Sequence, residues 1–199
     1  LARSAGTEIS FDQLVVRAQE SPAGSNGLLF LPYLNGERCP YPDPDAKGAF
    51  IGLTTRHTDA DLTRSLMEGV IFALRDIYEL MLEAGIGAKQ IRASGGGASS
   101  LFWRQIQADI FGCDVVTTEG AAEGGAFGAA LVAGVGAGIW RDAHHAAGLC
   151  RIDESQAPDP AALKPYAQML GIYRDLYPAL TASFRLLSDP IFTKQEPGK

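Results

Sequence analysis

The residues best suited to chemistry lie in Ser94-Gly95-Gly96-Gly97-Ala98-Ser99-Ser100, between a predicted strand and a predicted helix. Three consecutive glycines bring backbone N–H groups close to a ligand, because no Cβ intervenes and positive φ is open to them. A helix starting near Ser99 would add its unpaired amides and the positive end of its dipole, an arrangement that suits an anion such as a nucleotide phosphate. A tight turn packing helix on sheet satisfies the same residues, so both readings stand.

The turn fits G-x-G-x-x-G in part, with Gly95 and Gly97 in place and Ser100 where the third glycine belongs. Glu119 lies 24 residues beyond Gly95, near where a dinucleotide fold places its ribose-binding acid. An NAD-binding oxidoreductase is therefore one alternative, although the opening unit of such a fold would stand at the start of the chain. The P-loop lysine is missing, which disfavours a Walker-type ATPase.

Other candidates have plainer readings. Asp43 and Asp45 sit in a Pro-rich loop and read as solvated turn residues. His144 and His145 lack an acidic or Cys partner at helical spacing and read as a surface pair. His57 precedes a helix cap and reads as exposed. Glu37 and Arg38 either reach a cleft or pair to pin their loop. Trp103 and Trp140 read as packing groups. Cys39, Cys113 and Cys150 form no CxxC pair, which favours reduced thiols over a zinc knuckle or disulfide framework.

The elements that would position the turn alternate between strand and helix. A capped helix from Ser10 to Glu20 leads to a loop over Ser21 to Gly27, then strands over Leu28 to Tyr33 and Gly48 to Leu53 flank a long polar loop. Thr58 and Asp61 form a capping pair ahead of Leu62, Leu66, Val70, Leu74, Ile77 and Met81, with Gly85 placed to end that helix. Strand Gln90 to Ser94, helix Ser99 to Phe111, strand Asp114 to Thr118 and a small-residue helix from Gly124 to Val135 follow. Asp153 to Pro160 reads as a loop. The last helix carries Leu163, Tyr166, Leu170, Tyr173, Tyr177, Leu180, Phe184 and Leu187, and Pro178 is expected to kink or break it. This order predicts an α/β layer architecture with mostly parallel pairing.

Composition sets the outer bounds. The 199 residues are 46% hydrophobic and 20% charged, enough for one substantial core. The net charge of −6 and singly scattered Lys and Arg disfavour a nucleic-acid partner. No apolar run reaches membrane-span length, and Leu1 to Gly6 lack the apolar stretch of a signal peptide.

Several segments together carry a family likeness. Leu31-Pro32-Tyr33-Leu34-Asn35-Gly36-Glu37-Arg38-Cys39-Pro40 and Ala46 to Thr54 resemble loops of bacterial pentulose kinases. Gly48, Gly52-Leu53, Asp61-Leu62 and Ser65-Leu66-Met67-Glu68 look like the second signature of FGGY carbohydrate kinases, with Leu66 where a smaller or β-branched residue is commoner. Gly95 to Ser100 with Phe102 to Asp109 is similar to that family's adenosine-binding element, and Gly125 to Ala130 resembles its small-residue closing helix.

The resemblance implies an α/β, actin-like ATPase (ribonuclease-H-like) domain, incomplete at its N-terminal side. Residues 1–188 would be the C-terminal ATP-binding part and 189–199 a tail. It implies ATP and Mg²⁺ as cofactors, with Gly95, Gly96, Gly97, Ala98 and Ser100 at the nucleotide. Ser100 stands where relatives often place an Asn near adenine. The sugar-binding N-terminal domain, the catalytic Asp and the turn holding the outer phosphates would lie upstream of Leu1, so this polypeptide alone is expected to be inactive. A cytoplasmic location, a sugar substrate and a homodimer are further expectations. A non-catalytic actin-like module is the remaining alternative.

Overall fold

The computed structural model describes residues 10–120 and 124–189. The expectations for Leu1 to Gly6 and for the tail beyond Asp189 lie outside those residues. The chain divides into two compact units, Leu1–Gly87 with Lys164–Lys199, and Ala88–Leu163.

The first unit begins with helix α1 (Phe11–Ala18), whose N-cap Ser10 and N3 residue Gln13 form a reciprocal capping box. Strands β1 (Leu29–Pro32) and β2 (Gly48–Ile51) pair antiparallel, with Phe30 opposite Phe50. Helix α2 (Asp59–Glu83) starts at the Thr58–Asp61 box as predicted. It ends at Gly85, where Gly85 N–H reaches Leu82 O and Ile86 N–H reaches Met81 O, the Schellman pairing. Where α2 crosses β1, Gly69 lies against the strand: a Cβ there would sit 2.2 Å from the Phe30 carbonyl oxygen.

The face that α2 buries is not the apolar stripe of the sequence. Asp61, Arg64, Ser65, Glu68, Phe72 and Asp76 are buried, whereas Leu74 and Met81 are 47% and 42% exposed. A 3.6-residue apolar period locates a helix, but here polar residues with dedicated partners occupy the inward side. Helix α6 (Pro160–Leu187) contributes Tyr166, Tyr173 and Phe184 to this unit's core. It runs unbroken through Pro165 and Pro178, so Pro178 does not break it as expected. Anchors on both sides offset the lost hydrogen bond: Tyr177 stacks on Tyr41 at 4.0 Å and Phe184 is 3% exposed.

The second unit is a three-stranded sheet of order β3-β4-β5, with β3 (Gln90–Arg92), β4 (Asp114–Thr118) and β5 (Ile152–Gln156). The β3–β4 pair is parallel, joined through helix α3 (Leu101–Phe111). The β4–β5 pair is antiparallel, which corrects the expectation of mostly parallel pairing and the reading of Asp153 to Pro160 as a loop. Residues 152–156 read Ile-Asp-Glu-Ser-Gln and are largely exposed. Strand pairing at an edge needs backbone hydrogen bonds more than apolar side chains, so no hydrophobic pattern marks it. Helices α4 (Gly125–Gly136) and α5 (Ala143–Ala147) complete the unit. Trp140 lies against Gly134, and α4 carries no polar side chain.

Candidate functional site

The glycine turn follows β3 directly. Gly95 has φ 75° and ψ −169°, a region open essentially only to glycine. Gly96–Ser99 form one 3₁₀ turn, closed by the Ala98 N–H on Gly95 O at 3.0 Å and by Ser99 Oγ donating to Gly96 O at 2.7 Å. The helix proper begins later than predicted. Ser100 is its N-cap, and Ser100 Oγ accepts the Trp103 N–H at 3.2 Å. The 3₁₀ turn takes up Ser99, so the α-helix starts at Leu101.

The predicted residues differ in what surrounds them. Among the described residues a Cβ on Gly95 or Gly96 would meet nothing within 4 Å, so both present open backbone to them. Gly97 lies against the Trp103 ring, where a Cβ would stand 3.1 Å from Cζ3. Trp103 is thereby a packing group, the floor of the turn. Ala98 is 5% exposed, and its carbonyl accepts from Arg104 Nη1. Ser100 has its oxygen engaged by the cap and keeps its hydroxyl hydrogen to donate. Gly124, the N-cap of α4, approaches Gly95, with a Cβ there falling 3.9 Å from Gly95 Cα. A small cavity of about 220 Å³ opens beside the turn, lined by Gly95, Ser99, Arg104, Thr117, Thr118 and Glu154 among others.

A second polar constellation lies in the first unit; its Asp61 and Glu68 stand in the segment that resembles the family's second signature, but the sequence did not show them as one cluster. Glu68, 1% exposed, accepts from Arg64 Nε at 2.7 Å, Tyr166 OH at 2.7 Å, the Gly24 N–H at 3.0 Å and Ser25 Oγ at 2.8 Å. Arg64 Nη1 donates to Ser21 O at 2.6 Å and Nη2 to Tyr166 OH at 2.9 Å. Asp61 accepts from Ser21 Oγ at 2.6 Å, Asn26 Nδ2 at 2.8 Å and both Thr58 donors. Burial alone would raise the Asp61 pKa; these hydrogen bonds overrule it and hold the carboxyl at about 2. Burial, then the Glu68 charge, pushes the Tyr166 phenol well up. The cluster fixes the loop over residues 21–27, in which Ser25 and Asn26 have φ of 47° and 54°.

The remaining candidates are placed as follows. Asp43 is not a solvated turn residue: it is 9% exposed and accepts from Tyr177 OH at 2.7 Å and the Asp45 N–H at 2.8 Å. Glu37 pins its loop through backbone, accepting the Arg38 and Cys39 N–H groups at 2.6 and 3.1 Å. His57 is half-buried, and its Nδ1 accepts the Thr54 N–H at 2.9 Å. His144 and His145 are exposed on α5, where Asp142 caps the His145 N–H at 2.7 Å. Among the described residues no three His, Cys, Asp or Glu side chains converge as a metal site. Within the same residues no helix is long and apolar enough to cross a membrane.

The strand, open glycine turn and capped helix find a direct match in sequence. The profile of the FGGY family of carbohydrate kinases, C-terminal domain, covers residues 2–137. The chain belongs to the FGGY family. The xylulose kinase of Staphylococcus epidermidis is 37% identical over 169 residues, which are 84% of this chain and 34% of the relative. That of Bacillus subtilis is 38% identical over 168 residues, 84% of this chain and 32% of the relative. Among solved structures, the ligand-bound xylulose kinase of Lactobacillus acidophilus superposes with a TM-score of 0.84 at 32% identity, over 94% of this chain and 38% of that one. The gluconate kinase of the same organism superposes with a TM-score of 0.81 at 32% identity, over 93% of this chain and 37% of that one. The chain spans about a third of the length of these FGGY relatives. Its mixed α/β architecture is the actin-like fold of FGGY kinases.

Proposed function

We propose that this chain forms the ATP-binding wall of a sugar kinase that transfers the γ-phosphoryl group of ATP to a sugar hydroxyl, D-xylulose giving D-xylulose 5-phosphate. The observation that carries the reading is the open backbone at Gly95 and Gly96 ahead of the capped α3, in a chain of the FGGY family. A nucleotide approaching there meets bare amides where any side chain would fill the space. Gly95, Gly96, Gly97, Ala98 and Ser100 are assigned to the nucleotide: the glycines to its ribose and α-phosphate side, Ser100 to the base through its hydroxyl hydrogen. Xylulose is assigned because relatives at 37% and 38% identity are xylulose kinases.

Phosphoryl transfer depends mostly on positioning and on stabilising phosphate charge. In this reading the chain's own residues supply positioning: they hold the adenosine end so that the outer phosphates project toward the acceptor. Mg²⁺ is assigned to the phosphates, its usual partners, and no step is routed through a metal held by these residues. The base that accepts the sugar hydroxyl proton, and the sugar-binding domain, are assigned to protein outside these 199 residues. The whole kinase is assigned to the cytoplasm and the homodimer is retained as its assembly.

Thermal unfolding with ATP·Mg²⁺ or NAD tests the reading. A ligand at 100 times its Kd stabilises by about 2.7 kcal/mol, so ATP is expected to raise Tm by several degrees while NAD leaves it unchanged. A rise with NAD alone overturns the kinase assignment. With ATP, Mg²⁺ and xylulose the isolated chain is expected to show no phosphorylation above background; turnover would place the base within it.

A further inference from the structure

We propose that Arg104 and Glu154 are positioning residues, a pair that holds the glycine turn in the shape its nucleotide needs; this rests on the nucleotide reading above. Arg104 stands one turn into α3 and is 5% exposed. Its guanidinium reaches back to donate to the Ala98 carbonyl through Nη1, and sideways to donate to the Glu154 carboxylate through Nη2. Its Nε has no hydrogen-bond partner among the described residues. Two contacts therefore set the orientation of a buried charge, and only one of them is an anion.

That geometry makes Glu154 the controlling member. A guanidinium out of water requires a compensating charge, and the half-exposed carboxylate on β5 supplies it. Without Glu154 the Ala98 carbonyl alone would face the buried cation, and the guanidinium would turn toward the cavity that it lines together with Gly95, Ser99 and Glu154. The turn has few other restraints. Among the described residues a Cβ on Gly95 or Gly96 would meet nothing within 4 Å, and Gly95 occupies a glycine-only backbone region. Beyond its own closing bonds, Ala98 N–H to Gly95 O and Ser99 Oγ to Gly96 O, its fixed points are the Trp103 ring beneath Gly97 and the Ala98 residue that Arg104 grips.

The pair also crosses the limits of the family match. Arg104 lies inside residues 2–137 and Glu154 lies beyond them. An edge strand with no glycine and no apolar pattern thus acts on the nucleotide turn. The strand's own attachment does not depend on the pair. Gln105 Nε2 donates to Ala157 O at 2.9 Å, and the Asp159 N–H donates to Asp109 Oδ1 at 2.7 Å, so the segment after β5 stays joined to α3 when Glu154 is truncated.

Calorimetric titration of the 199-residue chain with ATP·Mg²⁺, comparing wild type with Glu154→Ala and Glu154→Gln, tests the proposal alongside amide hydrogen exchange and Tm. Glu154→Ala is expected to weaken ATP on the order of tenfold, as for residues coupled by direct contact. It should speed exchange at residues 95–100 and leave exchange in α3 and β4 unchanged. Tm should move by no more than about 2 °C, because the carboxylate is half-exposed. Glu154→Gln, which keeps an acceptor without the charge, should fall between. Wild-type affinity and exchange in Glu154→Ala overturn the positioning role and leave the nucleotide site intact. Faster exchange throughout Ala88–Leu163 with a falling Tm makes the pair a general strut and overturns it as well. Failure of the wild-type chain to bind ATP overturns the nucleotide reading and, with it, this proposal.

Discussion

At the scale of single residues, the strongest electrostatic commitment lies in the first unit. The folded Asp61 carboxyl titrates at about 2, below the ordinary value of 3.8. A depressed carboxylate contributes stability that is fully present above the unfolded pKa and is lost as pH falls through the folded one. Acid unfolding of the first unit should therefore steepen between about pH 4 and pH 2. Asp61→Asn should lower stability at neutral pH by about 1.5–3 kcal/mol, the range for hydrogen bonds to a charged group. It should also flatten that acid limb, read from urea midpoints across the pH series. An unchanged slope in the variant would show that the ionised Asp61 is not what the native state holds. Residue-level legibility was uneven for a physical reason. Gly95 and Gly97 announce themselves because one occupies a backbone region essentially closed to other residues and the other lies against the Trp103 ring. Asp61 was legible as a cap and both Asp61 and Glu68 as parts of a family signature, but not as buried hubs, since that role depends on Ser21, Ser25, Asn26 and Tyr166, which are near only after folding.

Among the elements, the crossing of α2 over β1 has the least tolerance. Gly69→Ala would bring about 1 kcal/mol of helix propensity against a carbonyl at 2.2 Å from the new methyl carbon. That carbonyl belongs to Phe30 in the β1–β2 ladder, so it cannot withdraw without opening the pair. Overpacking of this kind costs about 1–3 kcal/mol, and the net loss should appear as a Tm several degrees lower; a Tm equal to wild type or higher would contradict the close approach. Caps and glycine stops were readable: Ser10, Thr58, Asp61 and Gly85 all do locally what their types suggest. Strands β1, β2, β3 and β4 were placed within two residues at each end by apolar runs bounded by turn residues. Strand β5 was not, because Ile152–Gln156 is stabilised by its neighbour's backbone and advertises nothing. The inward side of α2 was misjudged for the related reason that periodicity counts apolar residues, while this helix buries charges that other segments neutralise. Pro178 was expected to kink or break α6 because local rules weigh a lost hydrogen bond, whereas the aromatic anchors of α6 come from tertiary structure.

For the whole molecule, the division into units has an order built into it. The second unit, Ala88–Leu163, is one continuous stretch, whereas the first is closed by two stretches that meet only when α6 is in place. Tyr166 and Tyr173 are each 1% exposed, and they bond to Arg64, Glu68 and Tyr33 across about 100 residues of sequence or more. During synthesis the unit bearing the glycine turn can gather its sheet as soon as β5 is made. The unit around α2 must wait for α6, encoded after the second unit, its buried carboxylates meanwhile open to water. A chain ending at Leu163 is accordingly expected to keep slow amide exchange in β4 and α3 while α2 exchanges freely, and equal loss in both would show the two units to be one cooperative whole. The glycine turn would then be in place before the unit around α2 has closed.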